Sequence, residues 1–258
     1  MTEQAPQAQT IMMFSPPYVP ADSFTAQLRE LGHAVLAPAS LPAGLGCEPA
    51  GLASLAPFWN DLPPDTYLKD GGKYRFRRHS CFVAEDSATE GQVLTPALHR
   101  AHWQPLDYNA LHGGIQRWFE PMAAEAVSQP VWQQMLLGLA RVASDLKGAK
   151  PWFIEAHQFR IDTSNGIGRP TPEGAHRDGV DLVAVFLVGR EGIKGGESRV
   201  FEAQGPNGQR FTMSEPWTLL LLDDERVIHE TTPIQPTAPH GHRDTLVVTL
   251  RAGGFQGP

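Results

Sequence analysis

The feature that most constrains the fold is a series of short β-type segments in the second half of the chain. From Trp152 onward, stretches rich in β-branched, aromatic and leucine residues follow one another, separated by Gly, Pro, Asn and Asp. These stretches are residues 153–161, 182–188, 198–203, 217–222, 227–234 and 245–250. Several short strands without long helices between them are typical of a β-sandwich or barrel. The pattern therefore predicts a jelly-roll-type β core.

Residues 1–150 have a different character, in which helical signals alternate with loops. Helices are predicted up to Leu31 (with Asp22 or Ser23 as the cap), at 111–119 and at 130–147, and strands at 34–37 and 73–83. No convincing linker divides the chain. We therefore expect an α+β protein with one structural unit over 1–258, in which a mostly helical N-terminal part (1–150) packs on a main β core (151–252).

Composition and charge exclude several classes of protein. An apolar content of 41% in 258 residues fits a globular chain with a sizeable core. The net charge of −7 argues against nonspecific nucleic-acid binding. No long apolar run or signal peptide is evident, so we expect no membrane span. Two cysteines do not make a disulfide framework, and we expect a cytoplasmic location.

A possible metal-binding group is spread over two segments of the β core. His176 and Asp178 have the form His-x-Asp, bracketed by Gly174 and Gly179, and His229 follows at the end of a later apolar run. On a strand, residues i and i+2 point to the same side, so the first two side chains can aim at one point. Two imidazoles and a carboxylate can hold Fe(II) and leave positions open. The alternative is a hydrogen-bonded pair without metal.

Arg243 opens the last predicted strand and could hold an anionic ligand. A guanidinium binds a carboxylate with two parallel hydrogen bonds, which suits the distal carboxylate of a keto diacid, and Thr245 shares its face. The alternative is a solvent-facing arginine that pairs with Asp223 or Asp224. Arg251 is expected to be too far along the strand, at about 27 Å, to share a site with Arg243.

Together these segments resemble a known family. Residues 172–181, 195–198, 222–229, 232–234 and 243–246 are similar to the 2-oxoglutarate/Fe(II)-dependent dioxygenases. With 74–77 and 108–117 they resemble the bacterial subgroup that contains L-isoleucine hydroxylases, over about residues 70–252. The resemblance implies a double-stranded β-helix (cupin-like) fold and hydroxylation of a free L-amino acid or similar small molecule. It also implies that His176, Asp178 and His229 bind Fe(II), that Arg243 binds 2-oxoglutarate, and that O₂ is consumed.

Other residues are candidates for contacts with the substrate. These are Arg75 and Arg77 on one strand face, Tyr108 and Asn109 beside a possible Gly113-Gly114 lid, and Gln158 and Arg160 on the strand before the metal segment. For the arginine pair, a solvated basic face is the alternative. For Gln158 and Arg160, it is an outward polar edge.

Three functions remain open on this basis. The first is a 2-oxoglutarate-dependent hydroxylase. The second is a non-catalytic regulatory or stress protein that binds iron and 2-oxoglutarate, and the third is a β-barrel zinc or manganese enzyme without a keto acid. The sequence predicts neither a partner protein nor an oligomeric state.

Overall fold

The helices of the described residues all lie before Trp152, whereas strands lie on both sides of it. The computed structural model describes residues 14–87, 91–109 and 111–258. The helices are α1 (Phe24–Leu31), α2 (Leu41–Leu45), α3 (Pro49–Ala53), α4 (Ala124–Val127) and α5 (Pro130–Lys147), with short 3₁₀ helices at Pro38–Ser40 and Ala56–Trp59. The strands are β1 (His33–Leu36), β2 (Arg75–Ser87), β3 (Gly91–Pro96), β4 (Trp152–Asp162), β5 (Leu182–Glu191), β6 (Ile193–Gly195), β7 (Ser198–Glu202), β8 (Gly208–Phe211), β9 (Leu219–Asp223), β10 (Val227–Thr231), β11 (Ile234–Pro236) and β12 (His242–Ala252).

The strands form one large antiparallel sheet and two smaller ones. The large sheet has seven strands in the order β1-β9-β5-β12-β4-β2-β3. A three-stranded sheet has the order β10-β7-β8, and β11 pairs with β6. The predicted jelly-roll-type core is thus confirmed. The predicted strand at 227–234 divides into β10 and β11 around Pro233, since proline cannot donate to a strand ladder.

The N-terminal part contributes more to the sheet than the sequence pattern indicated. Strands β1, β2 and β3 all belong to the seven-stranded sheet, and β2 pairs with β4 from Arg75 to Ala84. The helix predicted at 111–119 does not form. Instead, turns cover this segment, and the N–H of Gly114 donates to the Gln104 carbonyl at 2.8 Å. The Gly113-Gly114 pair disfavours a helix because glycine loses the most backbone entropy there.

The two faces of the seven-stranded sheet have different tasks. On β12, Leu246, Val248 and Leu250 are fully buried in the main hydrophobic core, which also includes Met135 and Leu139 of α5. Helix α5 presents its apolar stripe to this face, as its helical spacing predicted. The alternate β12 residues point the other way, because side chains alternate along a strand. The helices therefore cover one face and leave the other to face the small sheets.

A second, smaller core joins the sheets to each other. Val183 and Leu187 of β5 pack with Val200 and Phe211 of the three-stranded sheet. This contact packs β5 of the seven-stranded sheet against the three-stranded sheet. Among the described residues, no helix is both long and apolar enough to cross a membrane.

Candidate active site

A deep cavity opens between the seven-stranded sheet and strand β10 of the three-stranded sheet. It encloses about 1100 Å³, including its open mouth. Glu155, His157 and Phe159 of β4 and Thr245 and Val247 of β12 line it from the large sheet. These residues lie on the sheet face opposite the helices. The cavity is therefore walled largely by polar and aromatic side chains, whereas Ile154, Ala156, Leu246 and Val248 on the other face of the same strands belong to the apolar core.

His176, Asp178 and His229 lie together at the wall of this cavity. Nε2 of His176 is 3.8 Å from Oδ1 of Asp178, and Nε2 of His229 is 3.7 Å from its Oδ2. One ligand atom from each residue lies within 4.8 Å of the other two. Two imidazoles and one carboxylate that converge beside an open space match the donor set of an Fe(II) site with free positions. The structure thus brings together the three residues that the sequence singled out.

A backbone bridge, rather than a regular strand, sets the two histidines side by side. His176 and His229 exchange N–H···O hydrogen bonds of 3.0 and 2.9 Å. His229 lies on β10, but His176 and Asp178 lie in an irregular segment, so the predicted strand is wrong here. Gly174 and Gly179, with φ of 81° and 77°, adopt the left-handed backbone conformation that curls the chain at both ends of this segment.

Two side chains hold the backbone of residues 174–180, which we call the metal segment. The carboxylate of Asp224 accepts N–H groups from Asp178 at 3.0 Å, Gly179 at 2.7 Å and Val180 at 3.1 Å. From the other side, Gln256 Nε2 donates to the carbonyls of Asp178 and Gly179. Asp224 is therefore fully engaged by this segment, and it is not a partner of Arg243.

The imidazoles are oriented to present Nε2 to a cation. His176 Nδ1 donates to the Gly174 carbonyl at 2.9 Å, which directs Nε2 towards Asp178. Burial and the neighbouring His176 lower the pKa of His229 to about 3, so this ring is neutral and can act as a ligand. The pKa of His176 is raised: burial opposes its charge, but Asp178, Glu173 and the Gly174 carbonyl are among the groups that together outweigh burial. Burial raises the pKa of Asp178, and a bound cation would compensate its charge.

Arg243 is a buried cation without a carboxylate partner among the described residues. It is 3% exposed and lines the same cavity, as does Thr245. In the part of the chain that the structure describes, its Nε and Nη2 have no hydrogen-bond partner, and burial, with Arg190 nearby, lowers its pKa to about 10. A buried guanidinium with unused donors is costly unless an anion pairs with it. These observations fit the distal carboxylate of a keto diacid.

The alternatives weighed for Arg243 do not occur. Asp223 pairs with Lys147 at 2.9 Å instead. Arg251, which was expected to be too distant, lines the same cavity as Arg243 because the cavity runs along the length of β12. Its Nη1 donates to the Gly254 carbonyl at 2.7 Å.

The cavity wall on β2 and the neighbouring loop carries three guanidinium groups. Arg75 and Arg77 line it, and both share one carboxylate, that of Asp65, at 2.8 and 3.7 Å. Arg77 also lies between the rings of Phe119 and Phe159, 3.8 and 4.3 Å from their centroids. Arg117, which is 2% exposed, has no carboxylate partner in the described chain, and its Nε is unpaired. Positive charge exceeds negative charge at this wall.

The other candidate substrate contacts have different fates. Asn109 lines the cavity, but Tyr108, Gln158 and Arg160 do not. Gln158 and Arg160 point to the helix face of β4, where Arg160 makes an ion pair of 2.7 Å with Asp244. The prediction considered the even-numbered residues Gln158 and Arg160 for the pocket, but the odd-numbered residues of β4, from 153 to 161, line the cavity.

Gln104, Arg117 and His157 are cavity residues that the site prediction missed. His157 could have been found, since the even-numbered residues of β4 begin with Trp152, Ile154 and Ala156, an apolar series that marks the core face. Gln104 and Arg117 lie outside regular strands and helices, where no periodicity exposes them.

A second group of possible metal ligands lies deeper in the cavity wall. His79, His102, Glu155 and His157 each place a ligand atom within 4.8 Å of the others. Arg77 Nη2 donates to His157 Nδ1 at 2.7 Å. Because arginine can only donate, the proton of the neutral His157 ring is on Nε2, the atom nearest Glu155. That proton and the adjacent guanidinium favour the His176 group as the iron site.

Comparisons with known proteins agree with this geometry. A family model described as 2OG-Fe dioxygenase matches residues 56–249. The chain is 49% identical to a bsmA homolog from Methylobium petroleophilum PM1, whose crystal structure superposes with a TM-score of 0.88 and covers 96% of this chain and 100% of that one. In a search of curated proteins, none matched.

More distant structures support the fold alone. IDO from Bacillus thuringiensis has a TM-score of 0.72 at 17% identity, over 95% of this chain and 100% of that one. The Fe(II)/α-ketoglutarate-dependent dioxygenase TqaL has a TM-score of 0.68 at 17% identity, over 90% of this chain and 86% of that one. The fold is the double-stranded β-helix, as the resemblance implied.

Proposed function

Because this chain belongs to the 2OG-Fe dioxygenase family, we propose that it hydroxylates a small molecule, a free L-amino acid or a close relative. The chain is an oxidoreductase, and the cofactors of its family are Fe(II), 2-oxoglutarate and O₂. The single observation that supports the site is the convergence of His176, Asp178 and His229 in a cavity shared with the unpaired Arg243.

In this proposal, His176, Asp178 and His229 hold Fe(II), and Arg243 and Thr245 bind the distal carboxylate of 2-oxoglutarate. Bound together with O₂, these cofactors supply the oxidising power for C–H hydroxylation. The chain itself binds and orients the reactants and limits access of water. The depth of the cavity, between two sheets, serves that task.

The charge of the cavity wall supports a substrate with an acidic group. Arg75 and Arg77 share one partnering carboxylate, that of Asp65, and Arg117 has none among the described residues. Burial raises the pKa of the nearby Glu155. An uncompensated buried cation favours an anionic ligand. We propose that the α-carboxylate of an amino acid binds at this wall. The subgroup of L-isoleucine hydroxylases, which the sequence resembles, fits such a substrate.

The cofactor site is tested by spectroscopy of anaerobic protein with Fe(II). Addition of 2-oxoglutarate should give a weak visible metal-to-ligand band. The band should vanish in His176→Ala and weaken greatly in Arg243→Met. His240→Asn and Arg210→Met are the matched controls, because both replace exposed residues that do not line the cavity. No band in folded, iron-loaded wild-type protein would refute the proposed site.

Turnover and substrate are tested by succinate release. We expect one or more free L-amino acids to stimulate it, and the substrate KM to rise in Arg75→Lys while the 2-oxoglutarate band persists. A rate that no amino acid stimulates would refute the amino-acid substrate. A rate that no small molecule stimulates would instead favour the alternative, a non-catalytic binding protein. Membership in a family of dioxygenases argues against that alternative.

The free cysteines support a reducing compartment for this activity. Cys47 and Cys81 are both buried and unpaired. We propose a cytoplasmic location, which fractionation of the native host would test.

A further inference from the structure

The metal ligand Asp178 has a hydrogen-bond partner outside the metal segment. Gln104 Nε2 donates to Oδ1 of Asp178 at 3.0 Å. Gln104 lines the cavity and is 6% exposed. Its backbone lies 74 residues before its partner. A buried amide aimed at a candidate metal ligand raises the question of what fixes its direction.

The orientation of the Gln104 amide is fixed by neighbouring groups that donate hydrogen bonds to its oxygen. Arg117 Nη2 donates to Gln104 Oε1 at 2.9 Å, and arginine has no acceptor. Asn109 Nδ2 also donates to this oxygen, at 3.1 Å. The amide of Asn109 is itself fixed, since its Oδ1 accepts the N–H of His112 at 2.7 Å. With two donors on Oε1, Gln104 must present its NH₂ group to Asp178.

These hydrogen bonds, which run from Arg117 and Asn109 to Gln104 and from Gln104 to Asp178, determine which oxygen of the Asp178 carboxylate is left for a metal. Oδ1 of Asp178 is engaged by Gln104, whereas Oδ2, the oxygen nearer His229, accepts no hydrogen bond from the described residues. Partners of this kind orient ligating carboxylates, and their loss typically weakens metal binding by about 10–100-fold. Asn109, predicted as a substrate contact, uses its amide in this series of hydrogen bonds.

We propose that Gln104 is a positioning residue: it holds Asp178 so that Oδ2 binds the metal, and Arg117 and Asn109 hold Gln104. The inference rests on the proposed function, because it takes Asp178 as an iron ligand. A scaffolding role for the side chain is not needed. The backbone of this loop is anchored separately, by N–H···O hydrogen bonds between His102 and Arg117 of 2.9 and 3.0 Å.

The test measures metal affinity without turnover. Apoprotein is titrated with Co(II), whose ligand-field absorption reports coordination at the iron site. Gln104→Leu should raise the Kd by about 10–100-fold and alter the ligand-field bands. Arg117→Met should raise it by a smaller factor, because Asn109 alone then holds the amide of Gln104. Gln158→Leu is the matched control, since Gln158 is as well buried but lies on the helix face of β4; its Kd should equal that of the wild type.

A double variant distinguishes the loss of these hydrogen bonds from general damage to the fold. Gln104→Leu with Arg117→Met should bind Co(II) no more weakly than Gln104→Leu alone, since both changes act on the same interaction, the hydrogen bond by which Gln104 holds Asp178. Additive losses would overturn the role of Arg117. If His176→Ala abolishes Co(II) binding but Gln104→Leu leaves Kd and bands as in the wild type, the Gln104 inference fails alone. If His176→Ala binds like the wild type, the proposed iron site itself fails.

Discussion

Replacement of Asp224 by asparagine should destabilise the metal segment by a predictable amount. The carboxylate of Asp224 is 1% exposed; its Oδ1 accepts one backbone N–H, and its Oδ2 accepts two. An asparagine has one acceptor oxygen. In the better orientation, the amide oxygen keeps the N–H groups of Gly179 and Val180, and its NH₂ group meets the N–H of Asp178. One charge-assisted hydrogen bond is then lost and a buried donor is left unpaired, which costs about 1.5–3 kcal/mol.

An opposing effect decides how the measurement is made. Burial and the neighbouring Asp178 raise the pKa of Asp224, so the two carboxylates repel each other in apoprotein, and Asp224→Asn relieves this repulsion. A bound divalent cation neutralises Asp178 and removes that gain. The loss of unfolding free energy should therefore be about 1.5–3 kcal/mol in Co(II)-loaded protein and smaller in apoprotein.

The assay is urea unfolding of Asp224→Asn and of the neighbouring Glu225→Gln, with and without Co(II). Glu225 is exposed, and its partner Lys147 keeps Asp223 at 2.9 Å, so this control should change stability by less than about 0.5 kcal/mol. A loaded Asp224→Asn protein as stable as wild type would refute the account of the three N–H groups. So would a larger loss in apoprotein than in loaded protein.

Two further predictions concern pH and backbone packing. Burial lowers the pKa of His79 to about 3; the unfolded chain therefore takes up a proton below about pH 6.5 that the folded protein refuses, and stability falls from there towards pH 3. His79→Asn should remove about 1.4 kcal/mol per pH unit from this fall in apoprotein unfolding, and an unchanged slope would contradict the assignment. Gly113→Ala should cost about 1–3 kcal/mol in urea unfolding, since its Cβ would meet the backbone of Asn109 and Pro105, whereas Gly189→Ala, with open space around it, should be neutral; equal stabilities would show that the turn at Gly113 is not closely packed.

The β core was predictable because local sequence carries its signal. Strands β5, β9 and β12 are buried over most of their length, and such strands read as continuous apolar runs bounded by turn residues. The membership of β1, β2 and β3 in the same sheet was not predictable in this way. Strand β2 pairs with β4, and β1 with β9. Each partner lies far along the chain, and no local pattern encodes such pairing.

The candidate site divides along the same line. His176, Asp178 and His229 carry chemistry that their residue types announce, and Arg243 follows at a strand start. The face that lines the cavity had to be inferred from alternation along β4, and Gln158 was assigned to the wrong side. Period-two alternation identifies two faces but does not by itself say which one a cavity occupies. Neighbouring apolar residues are needed for that choice.

The irregularity of the metal segment explains why the His-x-Asp motif alone is a weak predictor. A regular strand would orient His176 and Asp178 through its ladder, but this segment has a single bridge. Its geometry is held by side chains from three distant parts of the chain: Gln104 on the Asp178 carboxylate, Asp224 on the N–H groups and Gln256 on the carbonyls. Holding ligands in place before the metal arrives reduces the ordering cost of binding. A His-x-Asp pair without such supports would pay that cost at each binding event, so the supports, more than the motif, distinguish a metal site from a surface pair.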